Sequence, residues 1–158
     1  MLPHVQAQSL QVLSTRDVRF LMLSPPCTMF SALQRLWNFK RMSPEKVSQL
    51  WGKSMCLLEH SMQCAKMQMS RNRFFAFEHP ATASSWKQDC VLDVIRSPGT
   101  FQVVFDQCQL GFVSKVGGIP MRKRTRILTN HKGWLNAFPT SSVTVLMRIR
   151  PSKGLRVV

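Results

Sequence analysis

Cys27 stands directly behind Pro25 and Pro26, at the end of the apolar run Phe20-Leu21-Met22-Leu23. Two prolines stop a strand and stiffen the turn that follows, so the thiol is expected at the carboxyl edge of a sheet, where it can serve as a nucleophile. The plainer alternative is a small buried residue, because free cysteine is among the most buried types. Glu78 closes a second apolar run, Phe74-Phe75-Ala76-Phe77. A carboxylate in that position is costly to bury, which makes it a functional candidate beside the alternative of a salt-bridged surface glutamate. Arg122, Lys123, Arg124 and Arg126 form a basic cluster suited to phosphate contacts, or else a solvated basic turn. Cys56, His60 and Cys64 recur every four residues and stack on one helical face. Three metal ligands can be arranged that way, but no fourth ligand is evident, so the expectation is a polar solvent side and no metal site.

The elements that must carry these groups alternate along the chain. Residues 17 to 23 read as a buried strand running into the loop Ser24-Pro25-Pro26-Cys27. Ser43, Pro44 and Glu45 mark a helix start, with a capping hydroxyl, a proline in the first turn and an acid at the positive dipole end. Val47, Leu50, Trp51, Leu58, Met62, Ala65 and Met69 then fall on one stripe. Residues 73 to 78 predict a second strand, Ser84-Ser85-Trp86 opens a second helix that Pro98-Gly99 ends, and Phe101 to Asp106 is a third strand. A fourth, Arg126 to Thr129, follows the Gly117-Gly118 turn, and alternation places Arg124 and Arg126 on one face. Strand, helix, strand, helix, strand predicts an α/β fold with a mostly parallel sheet, whose ligands collect at the carboxyl ends of the strands. Residues 1–16 read as an amino-terminal extension, residues 17–138 as the domain, and residues 139–158 as a tail whose structure the sequence leaves open.

The 158 residues carry 22 Lys plus Arg against seven Asp plus Glu, a formal charge of +15, which favours a polyanionic partner. With so few carboxylates, glycosidase pairs and two-metal clusters have little to draw on, and no tyrosine is present to act as a phenol. No apolar stretch approaches the roughly 20 residues of a membrane span, and the amino terminus lacks a secretory pattern. Five cysteines without compact spacing suit free thiols in a reducing compartment, so the expected location is nucleus or cytosol.

Ser24-Pro25-Pro26-Cys27, followed by Phe30-Ser31, resembles the Pro-Cys nucleophile loop of DNA cytosine-5 methyltransferases, with Asp17 opening its strand. Glu78-His79-Pro80 resembles that family's Glu-Asn-Val motif, with histidine in place of asparagine. Gly118 to Ile127 resembles its Gly-Val-Pro-Gln-x-Arg-x-Arg segment, although the two ways of counting place the arginine pair one residue apart. Taken together, residues 24 to 31, 78 to 86 and 106 to 111 resemble a divergent methyltransferase-like domain of algal mobile-element polyproteins. The resemblance implies a Rossmann-like methyltransferase core, incomplete at its amino end. It implies Cys27 attacking C6 of a flipped cytosine, Glu78 holding the N3 edge, Arg124 and Arg126 orienting the base or its phosphate, and DNA as partner.

S-adenosylmethionine is the cofactor the resemblance implies, yet its seat needs a glycine-rich turn upstream of the nucleophile, and no glycine precedes Gly52. The expectation is therefore a fragment that keeps the nucleophile side and does not methylate alone, with a missing upstream segment of a polyprotein as possible partner. The rival is a non-catalytic nucleic-acid-binding module using Arg71, Arg73 and the 122 to 126 cluster.

Overall fold

A computed structural model describes residues 3–32, 34–120, 122–133 and the backbone of residues 144–146. Among the described residues three α-helices, α1 (Pro3–Thr15), α2 (Pro44–Ser70) and α3 (Asp89–Arg96), accompany five strands: β1 (Phe20–Leu23), β2 (Phe74–Pro80), β3 (Phe101–Asp106), β4 (Arg124–Thr129) and β5 (Thr144–Leu146). The strands form one sheet in the order β1-β2-β4-β3-β5.

α2 starts where the sequence signals it: the Ser43 side chain accepts from the Lys46 amide, with Pro44 in the first turn. Its apolar stripe buries Leu58, Met62 and Ala65 against Phe75 and Phe77 of β2, Leu128 of β4, and Val91 and Val94 of α3. Because α2 carries the chain back across this face, β2 lies parallel to β1, in the register Phe20↔Phe74 to Leu23↔Phe77. Gln68, fully buried near the end of α2, donates from Nε2 to the carbonyls of Val18 (2.8 Å) and Phe74 (3.0 Å). One amide thus ties together the entries of both strands.

The expected mostly parallel sheet is corrected. Among the described residues only β1 and β2 pair in parallel; β4 is antiparallel to both β2 and β3, and β5 is antiparallel to β3. The cause lies in residues 107–123, which hold one short 3₁₀ turn (Gln107–Leu110) and a glycine reversal at Gly117 and Gly118, both at positive φ. Among its described residues the link has no crossover helix; the chain doubles back and β4 inserts between β2 and β3. β1, β2 and β3 still share one direction, and their carboxyl ends share one edge.

Other differences are local. The first strand begins at Phe20, because Asp17 is drawn off to Arg19 and Arg73 (3.4 and 3.2 Å). Ser84–Lys87 is a 3₁₀ turn, and α3 begins only at Asp89. Residues 134–143 and 147–158, including most of the tail, lie outside the described residues; residues 144–146 pair along β3.

The amino-terminal extension is the helix α1, which covers the face of α2 bearing Cys56, His60 and Cys64. That face was expected to meet solvent. Instead Gln6 donates to Cys56 Sγ (3.1 Å), and His60 Nε2 lies 2.7 Å from Ser9 Oγ and 3.6 Å from Cys64 Sγ. Among the described residues no three His, Cys, Asp or Glu are grouped to hold a metal ion.

Phe77 is fully buried with its ring edge-on to Trp86 at 5.1 Å. Phe77→Ala is expected to lower the unfolding free energy by about 3–5 kcal/mol, read as a fall in the denaturation midpoint at constant slope.

Candidate functional site

The carboxyl ends of β1 and β2 meet because the strands are parallel and in register. Extending that register one residue sets Ser24 beside Glu78, and the Ser24 hydroxyl donates to Glu78 Oε2 at 2.9 Å. Glu78 Oε1 is buried and has no hydrogen-bond partner among the described residues. A buried acceptor without a donor is uncommon, and at a strand's carboxyl end it marks a place where a ligand's N–H can sit.

Cys27 lies three residues beyond Ser24 and precedes a 3₁₀ turn, Thr28–Phe30, in which its carbonyl accepts from the Phe30 amide (3.0 Å). The cysteine is partly exposed, whereas Met29 and Phe30 are buried. Phe30 is the anchor, edge-on to Trp51 at 5.3 Å. Pro25 and Pro26 offer no backbone N–H, so at these two positions the loop can be tied only through carbonyls. Phe30 and Ser31 of the nucleophile motif thus divide the labour: Phe30 fills the core, and the Ser31 amide closes the turn onto the Thr28 carbonyl (3.2 Å).

His79 points to the helix-bearing side of β2, opposite to Glu78, and is fully buried. Its Nε2 lies 2.9 Å from the Pro25 carbonyl and its Nδ1 2.7 Å from Ser85 Oγ. Burial pushes its pKa below the ordinary histidine value, against smaller raising effects from the Pro25 carbonyl and Glu78. Pro80 ends the strand, and its carbonyl accepts from the Trp86 indole (2.8 Å).

The basic segment reaches the same edge of the sheet, since β4 begins where β2 and β3 end. The Ala81 amide donates to the Arg124 carbonyl (3.0 Å) and the Gln107 amide to the Lys123 carbonyl (3.0 Å). Lys123 and Arg124 are exposed; Arg122 is exposed and pairs with Asp106 at 3.1 Å. Arg124 and Arg126 do share a face, but the face is not that of Glu78. Register sets Arg126 opposite His79, so its guanidinium lies over Trp86, 4.9 Å from the ring centroid, with Nη1 3.5 Å from Gln102 Oε1. Desolvation lowers its pKa, and Nε is buried without a partner among the described residues. Alternation along β4 thus sets Arg126 on the His79 side of the sheet and away from the face of Glu78.

Arg73 likewise serves the fold. It donates to the carbonyls of Leu13 (3.2 Å) and Arg16 (2.7 Å) and pairs with Asp17. With Arg19 and Arg71 it lines an open cleft of about 370 Å³ at the amino ends of β1 and β2, the opposite edge of the sheet from Cys27.

His79, Ser84 and Ser85 are the site residues whose work was hidden in the sequence. Ser84 Oγ donates to the Phe30 carbonyl at 3.3 Å. A buried imidazole with a hydroxyl six residues on has no recognisable sequence signal, because the pairing depends on a 3₁₀ turn. No protein-family model matches the chain, and neither a curated protein nor a solved structure matches it.

The buried histidines make stability pH-dependent. His60 and His79 are both held below the ordinary value of 6.5, chiefly by desolvation. Neutral in the folded state, they cost nothing above that value; as pH falls below it the unfolded chain takes protons first, and stability drops. Urea titrations from pH 7.5 to 5 are expected to show falling unfolding free energy, with a shallower fall in His79→Gln.

Proposed function

We propose that this chain holds the nucleophile side of a DNA cytosine-5 methyltransferase-like site on an α/β core that is Rossmann-like in its three co-directional strands. The observation that carries the reading is Glu78 Oε1, buried and without a partner among the described residues, in a carboxylate that Ser24 ties to the start of the Cys27 loop. An unsatisfied acceptor beside a nucleophile loop fits the exocyclic amino N–H, next to N3, of a cytosine swung out of its duplex. The Cys27 thiol gives up its proton, which passes by way of the Glu78 carboxyl to N3, while the sulfur adds to C6 and the C5–C6 π pair moves to C5; the adduct is a neutral enamine, so negative charge does not build up on the ring. Exposed Lys123 and Arg124 contact backbone phosphates at the same edge.

The methyl donor does not fit the residues present. Glycine first occurs at Gly52, within α2, and no glycine turn precedes Cys27 to let a backbone approach S-adenosylmethionine. In this reading methyl transfer requires a donor seat from another polypeptide segment, and the chain alone carries out only reversible addition.

Reversible addition has its own signature. C5 takes a deuteron from D2O, the original C5 proton is lost, and expulsion of the thiolate restores cytosine bearing deuterium. Mass spectrometry of duplex DNA incubated with the protein in D2O is expected to show C5 deuterium, absent with Cys27→Ala and slowed roughly 10²-fold or more with Glu78→Gln. DNA binding that weakens steeply with salt, without any exchange, would leave only the non-catalytic binding module.

A further inference from the structure

We propose that His79 is the positioning residue of the Cys27 loop, a single-tautomer clamp whose Nε2–H holds the Pro25 carbonyl while Ser85 fixes the ring from behind. Calling its beneficiary a nucleophile rests on the function proposed above; the clamp itself stands on geometry. Pro25 O can only accept, so the proton belongs to Nε2, and Nδ1 must then accept from the Ser85 hydroxyl. Both ring nitrogens are satisfied, which gives the ring one orientation, and burial favours its neutral form. The ring is boxed by Phe77 at 4.8 Å, Phe30 at 5.8 Å and Trp86 at 6.5 Å, so it cannot follow the loop if the loop moves.

The need for such a clamp follows from the loop's composition. With two consecutive prolines it has lost two backbone donors, and the Pro25 carbonyl takes its bond from the side chain of a residue on the neighbouring strand. On the far side of Cys27, Phe30 is locked in the core and Ser84 donates to its carbonyl. Cys27 is therefore suspended between two fixed points, both supplied by the segment 79 to 85. His60 offers the contrast: it is similarly buried, but its Nε2 meets Ser9 across two helices, and its Nδ1 is left without a partner among the described residues.

Two measurements test the clamp. Long-range ¹H–¹⁵N correlation of the imidazole at pH 7.5 is expected to show protonated Nε2 and unprotonated Nδ1 for His79; an Nδ1–H tautomer or an imidazolium overturns the proposal. Peptide-resolved iodoacetamide labelling of the folded protein, with Cys90 as internal reference, reports loop opening. His79→Leu is expected to speed Cys27 labelling roughly tenfold, about the worth of one buried hydrogen bond, whereas His79→Gln, whose amide reaches the Nε2 position, restores the wild-type rate. If His79→Leu does not fold, Ser85→Ala takes its place and is expected to mix the tautomers and speed labelling less. Equal Cys27 labelling in wild type and in the folded clamp variant overturns the proposal. Positive clamp results with no C5 exchange in the wild type would sink the methyltransferase-like reading alone.

Discussion

The parallel pairing of β1 with β2 is the constraint on which the rest depends. Two strands entering side by side, with Gln68 bonded to the carbonyl before one and at the start of the other, must also leave side by side, and so Ser24 meets Glu78. An antiparallel pair would have sent the Pro-Pro-Cys loop and the carboxylate to opposite edges of the sheet. The direction is enforced by α2, whose buried stripe is long enough to return the chain over the sheet and apolar enough to stay there. Gln68 keeps one unpartnered oxygen, Oε1, among the described residues, so the tie comes at the cost of an unsatisfied acceptor in the interior.

The same sheet sorts the polar groups by face. Glu78, Ser24 and Thr125 fall on the side of Ala76, Val103, Phe105 and Ile127; His79, Arg126 and Arg124 fall on the side of the helices. The two candidate groups are thus supported through the sheet: Glu78 stands on one face while its immediate neighbour His79, on the other, bonds the Pro25 carbonyl of the loop that carries Cys27. Neighbouring residues on a strand can take unrelated tasks because their side chains never share a face.

Local chemistry explains which parts of this were legible in the sequence. The start of α2 at Ser43, the strands at Phe74 and Phe101, and the glycine reversal at 117 and 118 were legible because each is written in neighbouring residues. The reversed insertion of β4 was not, since pairing order depends on what a connection lacks, here a crossover helix, and on competition between strands distant in sequence. The facing of Arg126 was lost for the same reason: alternation gave its parity relative to Arg124 and no information on parity relative to Glu78. The helical face of Cys56, His60 and Cys64 read as solvent-exposed because α1, the element that covers it, has no strong amphipathic pattern of its own.

A charge of +15 invites the assumption that every arginine waits for a phosphate, and the structure divides them more sharply. Arg73 is spent on the carboxyl end of α1, Arg126 on an indole and a glutamine, and Arg122 on Asp106. Lys123 and Arg124 stay exposed where β4 begins, at the edge that carries Glu78 and the Cys27 loop, while Arg19 and Arg71 flank an open cleft at the far edge. Long-range attraction to a polyanion draws on the total, since it falls off only over a Debye length of about 8 Å at physiological salt. Any close contact with a polyanion would fall to the few exposed cations, of which Lys123 and Arg124 sit at the sheet edge shared by Glu78 and the Cys27 loop.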